Sequence, residues 1–289
     1  MKFAYLIMAH HKFEVLRLLL EDLDDERNDI YLHIDRKAEG FNEDMARSVV
    51  HKSRLFIVDR IPVFWGDFSQ IKCVLRLLRA ATDTMCYDYY HLLVGVEFPL
   101  KSQDEIHSFF EKNNGHEFIG YDYGGDFIER IQYYYFFKKN VRCESRTQRD
   151  DFFNDLGDYL LRIQKKIGIN RIKRYEEEYR KGYANWSITH NLALYILEQK
   201  KEIYKRYKYT MCADEIFVHT IVYHSHFYEK IYDKNDEYHS SMRLTSWDDP
   251  HNQLHMEDLP MLLKSDKLFA RKFDDENAVE ILKQLKRFR

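Results

Sequence analysis

Two adjacent carboxylates, Asp214 and Glu215, directly precede a run of apolar residues with helical spacing. Acidic residues are favoured in the first turn of a helix because its free N–H groups and its dipole attract negative charge, so the pair could simply cap a helix. A carboxylate in this position could equally act as a general base that takes a proton from an attacking hydroxyl, if partial burial tunes its pKa. Spacing alone leaves both interpretations open.

Basic side chains near the end of the chain offer complementary chemistry. The segment 268–273, LFARKF, is a predicted strand. Side chains alternate between the two faces of a strand, so at most one of Arg271 and Lys272 is expected to contact a given phosphate. Arg243 is a similar lone cation further upstream. Ordinary surface charge is the simpler explanation of each residue taken by itself.

The usual phosphate-binding and metal-binding motifs do not occur in this sequence. It contains neither GxGxxG nor GxxxxGK[ST], which weakens the case for a dinucleotide oxidoreductase or a P-loop enzyme. The single DxD, Asp22 to Asp24, falls within a predicted amphipathic helix, so we interpret it as a solvated helix face. The four cysteines form no CxxC or Cys/His cluster, which indicates neither a disulfide framework nor a zinc site.

The elements that must position these residues alternate along the first part of the chain. Apolar runs that predict strands lie at 3–8, 30–34, 55–58 and 89–96. Segments with helical periodicity lie at 13–23, 68–81 and 102–111. Because parallel strands need crossover connections, this order predicts an α/β fold with a mainly parallel sheet flanked by helices. Further strand or helix signals lie at 186–188, 191–198, 214–223, 268–273 and 276–285.

The middle of the chain has a different character. Aromatic residues crowd 127–135, and the stretch 138–181 mixes Lys and Arg with isolated apolar residues, as is typical of an insertion or a lid. No linker rich in Pro, Gly or Ser separates these parts, so we predict a single domain over 1–289. The basic residues around 160–174 would also suit a peripheral membrane contact, although a solvated helix is the simpler explanation.

Composition excludes several classes of protein. A net charge of -3 argues against a general nucleic-acid binder, which depends on positive charge to neutralise phosphates, so any basic surface must be local. No apolar stretch approaches the roughly 20 residues that a spanning helix needs. Aromatic residues make up 16% of the chain, and their flat faces suit sugars, but core packing explains most of them more simply.

Polar residues follow the predicted strands, at the edge where ligands bind in open α/β sheets. Ala9 and His10 follow the first strand, Asp35 the second, Asp59 the third and Glu97 the fourth. Taken one at a time, each of these residues is more simply explained as a solvated residue at the end of a strand than as a ligand contact. Four polar strand ends together favour a ligand site at this edge of the sheet.

Several segments, taken in order, carry a more specific signal. They are AYLIMAHH at 4–11, IYLHIDRKA at 30–38, VFWGDFSQI at 63–71, YDYYHLLVGVEFPLKS at 87–102, GYANWSITHNLALYIL at 182–197, CADEIFVHTIV at 212–222, MRLTSW at 242–247 and LFARKFD at 268–274. Together they resemble the core-2/I-branching β-1,6-N-acetylglucosaminyltransferase family, which also includes peptide O-xylosyltransferases. The form is similar to the short bacterial members, and the resemblance runs nearly end to end.

The resemblance implies a GT-A-like, Rossmann-like fold and an inverting transfer from a UDP-sugar, with no metal ion or other cofactor. Its general base would be Glu215, while Lys272 would contact the donor diphosphate and Arg243 would be a second contact. On the same basis, 1–125 is the nucleotide-sugar-binding half of the domain. The second half, 126–289, would carry the acceptor and catalytic residues together with the basic insertion.

The donor pocket implied by the resemblance draws on several of the segments. It would include Ala9 and His10, Asp35 of the HID piece and Gly66 of the WG piece, and Arg271 is a further candidate beside Lys272. The fourth-strand motif often reads SGxDxP in relatives but VGVEFP at 94–99 here. We therefore expect Glu97 to contact the donor in a different way.

Acceptor contacts are expected from position and chemistry alone. The candidates are Arg130, Tyr133, Tyr134, Tyr183 and Trp186. GlcNAc is the favoured sugar, and the expected acceptor is a glycan or lipid-linked glycan in bacterial surface polysaccharide synthesis. A xylosyltransferase-like enzyme and a non-catalytic glycan-binding or nucleotide-sugar-binding module are the alternatives. We expect a cytoplasmic protein whose basic insertion, 138–181, is a candidate contact with the inner face of the membrane.

Overall fold

The computed structural model describes residues 1–137, 139, 147–175, 178–246 and 249–289. Its central sheet contains β1 (Phe3–Ala9), β2 (Asn28–Ile34), β3 (Arg54–Ile57), β4 (Tyr89–Val94) and, much later in the chain, β8 (Ser187–Thr189). The spatial order is β3-β2-β1-β4-β8. The first four strands run parallel and β8 is antiparallel to β4. This confirms the predicted α/β class with a mainly parallel sheet.

A small second sheet lies beside the central one. It is formed by β5 (Glu97–Pro99), β9 (Arg243–Thr245) and β10 (Phe269–Arg271), with β10 in the middle. β10 pairs antiparallel with β5 and parallel with β9, and this register places Arg271 opposite Glu97. A two-stranded pair, β6 (Tyr121–Asp122) and β7 (Lys181–Gly182), completes the named strands. The small sheet therefore gathers predicted site residues that are far apart in sequence.

Helices cover both faces of the central sheet. They are α1 (Phe13–Asp22), α2 (Glu43–Arg47), α3 (Ser69–Thr84), α4 (Gln103–Lys112), α5 (Ile128–Gln132), α6 (Gln148–Lys166), α7 (His190–Glu198), α8 (Lys200–Tyr207), α9 (Phe217–Tyr223), α10 (Glu237–Ser241), α11 (Leu259–Lys264) and α12 (Ala278–Phe288). Short 3-10 turns lie at Ile172–Arg174, Ala213–Glu215, His226–Lys230 and Met256–Asp258. Within the described ranges, no helix is long and apolar enough to cross a membrane.

Two hydrophobic cores flank the central sheet, as the alternation of side chains in a strand requires. In β1, Ala4 and Leu6 belong to the core shared with α3 and α7, whereas Tyr5 and Ile7 belong to the core shared with α1 and α12. A parallel strand buried on both faces reads as a continuous apolar run rather than as an alternating one. That is why such runs located β1, β2 and β4 in the sequence.

Two predicted elements are subdivided in the structure. The predicted strand 89–96 ends at Val94, and a turn leads into β5. A Cβ on Gly95 would lie 2.6 Å from the Ala9 Cβ, so glycine allows this turn to pack against the end of β1. The predicted helix 214–223 begins as the 3-10 turn Ala213–Glu215, and α9 starts only at Phe217.

Much of the basic insertion is helical where it is described. Its main element, α6, begins with a capping box in which Thr147 and Asp150 bond reciprocally. Gln164 anchors the helix, since its side-chain amide exchanges hydrogen bonds of 2.8 and 2.9 Å with the backbone of Tyr134. Parts of the predicted insertion, residues 138, 140–146, 176 and 177, lie outside the described residues. Its contact with a membrane stays a prediction.

Candidate active site

The Asp214–Glu215 pair lies on a tight turn that precedes α9. Cys212 adopts a left-handed backbone conformation, with φ of 47°, and its N–H donates to the Gly66 carbonyl at 3.0 Å. The Glu215 N–H closes the turn by donating to the Cys212 carbonyl at 3.3 Å. The N-cap of α9 is Ile216, which makes no side-chain capping bond. The structure therefore does not support the helix-capping interpretation of the two carboxylates.

Glu215 presents its carboxylate at a partly exposed position beside a cation. Arg130, in the middle of α5, donates from Nη1 to Glu215 Oε2 at 2.6 Å, and the two side chains are 36% and 40% exposed. The Arg130 carbonyl also accepts from the Met211 N–H at 3.0 Å, so α5 holds the turn at two points. The predicted acceptor residue Arg130 is thus brought to the predicted base. Glu215 remains within reach of a substrate.

Asp214 points into a more enclosed environment than Glu215. Its Oδ2 accepts from Gln70 Nε2 at 3.1 Å, while its Oδ1 is buried with no hydrogen-bond partner within the described part of the chain. Burial, reinforced by the nearby charge of Glu215, raises the pKa of Asp214 to about 7. The two carboxylates are therefore chemically distinct, and Glu215 is the one that a hydroxyl could reach.

Gly66 shapes the turn from the opposite side. Its φ of 67° is favourable for glycine, and a Cβ here would approach the Met211 Cε to 2.9 Å. The Gly66 N–H donates to Gln70 Oε1 at 2.7 Å, so Gln70 bridges the WG loop and Asp214. The structure thus places Gly66 against the turn that carries Asp214 and Glu215, and its predicted contact with the donor stays a prediction.

A buried ion pair joins the two edge strands of the small sheet. Glu97 and Arg243 both have side chains that are 0% exposed, with Arg243 Nε 2.8 Å from Glu97 Oε1. Asn185 donates to the other Glu97 oxygen. Burial raises the pKa of Glu97, and the charge of Arg243 opposes that rise. Glu97 is therefore held in a buried ion pair, and its predicted contact with the donor stays a prediction.

Arg243 has further partners inside the protein. Its guanidinium donates to the carbonyl of Ser241 at 2.8 Å and to the hydroxyl of Ser187 at 3.1 Å, and it lies 4.3 Å from the Phe269 ring centroid. With no exposed surface, the side chain does not face an open cleft. Its predicted direct contact with a diphosphate is not supported by this geometry, which favours a role in positioning neighbouring groups.

Arg271 lies beside the buried ion pair and within electrostatic range of Asp214 and Glu215. Its guanidinium lies 4.7 Å from the Tyr183 ring centroid and donates to Asn185 Oδ1 at 3.4 Å. Its positive charge opposes the rise in pKa that burial causes at Glu97 and Asp214, which places it within electrostatic range of both groups. Arg271 Nε is buried and has no hydrogen-bond partner in the described ranges. The residue as a whole is partly exposed, unlike Arg243.

Lys272, the predicted diphosphate contact, lies against a different segment. Its Nζ donates to the His251 carbonyl at 3.3 Å. Its backbone exchanges hydrogen bonds with the loop, donating to Asn252 at 3.0 Å and accepting from Leu254 at 2.9 Å. Arg271 and Lys272 therefore contact different parts of the chain, in keeping with the expectation that only one of them reaches a given phosphate. Trp247, also in a quoted motif, lies outside the described residues.

The predicted strand-end residues come together at the carboxyl edge of the central sheet. The Asp35 N–H donates to the Ala9 carbonyl at 2.8 Å, which joins the ends of β2 and β1. The nearly buried Asp35 carboxylate accepts from Lys37 Nζ at 2.5 Å. His10 is exposed, and its ring centroid lies 4.1 Å from that of His11. This edge can accept a ligand, although Asp35 is already paired with a cation.

The predicted acceptor aromatics are mostly enclosed. Trp186 is fully buried in the core that contains α3 and α7, so a direct acceptor contact by its side chain is not supported. Tyr183 is also buried, with its hydroxyl 2.7 Å from Thr245 Oγ1, and Tyr133 is barely accessible. Tyr134 is the exposed member of the set, and the Arg171 guanidinium stacks on its ring at 4.5 Å from the centroid.

The interpretation of the DxD as a solvated helix face is wrong. Asp22 is buried at the end of α1 in an ion pair with Arg289. Asp24 lies beyond the helix and accepts from three successive backbone N–H groups, at 2.8 to 2.9 Å, in the segment 51–53. Both carboxylates have structural partners. Among the described residues, no group of three or more His, Cys, Asp or Glu side chains is arranged to hold a metal ion.

Two residues of the site were not identified from the sequence. Gln70 and Asn185 lie within the quoted segments VFWGDFSQI and GYANWSITHNLALYIL, so their motifs were available as a signal. Their partners are distant, however, since Gln70 is 144 positions from Asp214 and Asn185 is 88 positions from Glu97. Periodicity and spacing do not reveal such contacts.

Comparison with known proteins assigns the chain to a family. A family model described as Core-2/I-Branching enzyme matches residues 3–264. Xylosyltransferase 2 of Rattus norvegicus is 20% identical over 256 residues, which cover 85% of this chain and 26% of that protein. A xylosyltransferase of Ciona intestinalis is 20% identical over 313 residues, which cover 98% of this chain and 34% of that protein. The chain thus spans about a quarter to a third of the length of these relatives.

A solved structure also aligns with most of the chain, at a low score. The apo crystal structure of mouse xyloside xylosyltransferase 1 aligns with a TM-score of 0.35 and 9% identity, covering 93% of this chain and 96% of its own. The family model, by contrast, matches well over half of the sequence and confirms the resemblance found in the quoted segments. The chain therefore belongs to the core-2/I-branching enzyme family of glycosyltransferases.

Proposed function

We propose that this protein transfers a sugar from a UDP-sugar to a glycan hydroxyl, with inversion and without a metal ion, and that Glu215 is the general base. The observation that carries this proposal is the contrast between the two adjacent carboxylates. Glu215 is 40% exposed and lies 2.6 Å from Arg130, whereas Asp214 is held beneath it by Gln70. A reachable carboxylate on a rigid turn is the arrangement that general-base catalysis requires.

The proposed reaction is a single displacement. Glu215 takes the proton of the acceptor hydroxyl while the hydroxyl oxygen forms a bond to the anomeric carbon of the donor sugar. The bond from that carbon to the UDP oxygen breaks on the opposite face, and its electron pair leaves with the diphosphate. The proton remains on Glu215 until it is lost to solvent.

Positive charge is needed where the leaving diphosphate becomes more negative. Arg271 is our first candidate, because its Nε is buried without a partner in the described chain and its charge acts on the Asp214 carboxylate. Lys272 is the contact implied by the family resemblance, and Arg243 would act indirectly by neutralising Glu97. Preorganised cations in a cleft that excludes water can replace a metal ion, since they act where negative charge develops.

The donor sugar and the acceptor are also part of the proposal. GlcNAc is favoured by the branching family, and the acceptor would be a glycan or lipid-linked glycan in bacterial surface polysaccharide synthesis. Xylose is the alternative sugar, because the similar curated proteins are named xylosyltransferases. A thermal-shift comparison of UDP-GlcNAc with UDP-xylose would discriminate between them, since the donor that binds the folded protein more tightly raises its melting temperature more at equal concentration.

The Glu215→Gln variant tests the catalytic assignment. It keeps the shape of the side chain but removes the base, so turnover should fall about 100-fold to 10,000-fold, measured as UDP release from the best donor. Glu280→Gln, at an exposed position of α12, is the matched control and should retain wild-type turnover. Unchanged turnover in Glu215→Gln would refute the role of this residue.

A chelator tests the proposed metal independence separately. Turnover of the wild-type protein should be the same in EDTA as in buffer containing Mg²⁺ or Mn²⁺. Loss of activity in EDTA that is restored by either cation would refute the proposed metal independence. The assignment of Glu215 as the base would not be affected, because the Glu215→Gln variant tests it separately.

A further inference from the structure

A groove of about 520 Å³ opens on the outer side of the WG loop. It lies between the exposed face of α3, the loop that follows β3, and the α7–α8 pair. We call it the basic groove, and its walls combine the aromatic side chains of Phe64 and Tyr204 with cations that include Lys72, Arg76, Arg79 and Lys139.

Three of the cations form one stripe of α3. Lys72, Arg76 and Arg79 are all exposed and are spaced i, i+4 and i+7, which places them on the same side of the helix. At 1.5 Å per residue the stripe is about 10 Å long. Lys139 and Lys200 add positive charge from the other walls. A row of this length is better matched to an extended polyanion than to a single small anion.

Little negative charge offsets these cations. Asp67 is the one carboxylate among the described residues that line the basic groove. Arg76 lies 3.2 Å from Asp59, and Arg79 lies 3.4 Å from Asp83, in exposed ion pairs outside the lining. Exposed pairs of this kind contribute little and exchange readily with other anions. In a protein with a net charge of -3, the basic groove is therefore a local concentration of positive charge.

The basic groove adjoins the element that holds the catalytic turn. Ser69 lines the groove, and its hydroxyl accepts from the Phe64 N–H at 2.9 Å. The next residue, Gln70, donates to Asp214 at 3.1 Å and accepts from Gly66 at 2.7 Å. Successive Cα atoms are about 3.8 Å apart, so the end of the groove lies close to the residue that supports the carboxylate pair.

We propose that the basic groove binds an acidic portion of the acceptor glycan, one that carries carboxylate or phosphate groups, while a hydroxyl of the same glycan reaches Glu215. This inference rests on the proposed function, since it names the chemical class of the acceptor. The apolar and aromatic lining, with Phe64 and Tyr204, suits sugar rings, and the α3 stripe suits the charges that such a glycan would carry.

The test compares ligands of different charge, of which three are six units long and tripolyphosphate is a shorter anion. Binding is measured by calorimetry with hexagalacturonate, inorganic tripolyphosphate, maltohexaose and a thymidine hexanucleotide, first with wild-type protein and then with Lys72→Ala/Arg76→Ala. Both positions are exposed in a helix, so alanine should preserve the fold, as a melting curve would verify. Loss of two exposed ionic contacts should weaken binding of the acidic hexasaccharide about 5-fold to 30-fold.

A control and the donor reaction separate the outcomes. Lys283→Ala/Arg287→Ala removes two exposed cations with the same i, i+4 spacing from α12 and should bind like wild type. Stronger binding of hexagalacturonate than of tripolyphosphate points to a carboxylated glycan, and the reverse order to a phosphorylated one. Equal binding of maltohexaose, tighter binding of the hexanucleotide, or unchanged affinity in Lys72→Ala/Arg76→Ala would overturn the inference.

The same wild-type sample distinguishes the inference from the function on which it rests. UDP release from the donors is measured with and without hexagalacturonate. Release of UDP with no binding of any anionic probe would refute the acidic-glycan inference and leave the transferase proposal intact. Charge-dependent binding with no turnover of any UDP-sugar would refute the transferase proposal, and with it the acceptor assignment.

Discussion

The buried Glu97–Arg243 pair allows the sharpest test of how the small sheet is held together. Replacing Arg243 by Met removes the charge but keeps much of the volume, and it leaves the Glu97 carboxylate 0% exposed without its cation. Removing one partner of a buried ion pair costs about 3–5 kcal/mol in unfolding free energy, because the remaining charge has been taken out of water. Replacing both partners by neutral groups avoids most of that cost.

We therefore expect Arg243→Met to lower the unfolding free energy by about 3–5 kcal/mol, and Glu97→Gln/Arg243→Met to recover at least half of the loss. The assay is denaturant unfolding at pH 7. If the slope of the unfolding free energy against denaturant concentration is unchanged, a shift of the midpoint reports a change in stability. A loss below about 1 kcal/mol in the single variant would refute the assignment of Arg243 to a buried pair. It would indicate instead a solvated cation, free to meet the diphosphate.

Two further predictions concern Gln70 and Glu117. Gln70→Leu leaves one Asp214 oxygen without its donor, so the unfolding free energy should fall by about 1–3 kcal/mol and turnover should fall with it. The control Gln284→Leu removes an exposed hydrogen bond on α12 and should change neither quantity. Equal melting temperatures for Gln70→Leu and wild type would contradict the proposed bridge between Gln70 and Asp214. Burial raises the pKa of Glu117 to about 7, so the folded state favours the protonated carboxyl. The stability that this preference contributes is complete below about pH 4 and is lost as the pH rises through 7. The unfolding free energy of Glu117→Gln should therefore rise by about 1–3 kcal/mol relative to that of wild type between pH 5 and pH 8, measured by denaturant titration. The control Glu111→Gln, at an exposed position, should show no such change with pH. A difference between Glu117→Gln and wild type that does not vary with pH would refute the raised pKa of Glu117.

The sequence predicted the central sheet well because each strand is a local feature. β1 and β2 are buried on both faces, so uninterrupted apolar runs mark them. β5 and β9 are only three residues long and depend on pairing with β10. No periodicity can be recognised over three residues, and the small sheet was therefore missed except for the segment around β10.

The site could be predicted only in part, because its contacts join distant segments. The ordered motifs predict Glu215 as the base, but the ion pair with Arg130 spans 85 positions and has no local signature. The sequence also says nothing about burial of an individual charge. Nothing in the sequence distinguishes the burial of Arg243 from that of Lys272. In the structure Arg243 is completely buried, whereas Lys272 is partly exposed.

The distribution of buried charge explains how one small cleft could hold a base and an anion without mutual neutralisation. Arg243 is paired with Glu97 and withdrawn from the surface, and Asn185 lies between Glu97 and Arg271, whose Nε is left without a hydrogen-bond partner among the described residues. On the other side, Gln70 holds Asp214 as an enclosed carboxyl whose pKa lies near 7. Two neighbouring carboxyls with such different environments can take different roles, and the more exposed Glu215 is the one to which our proposal gives the proton.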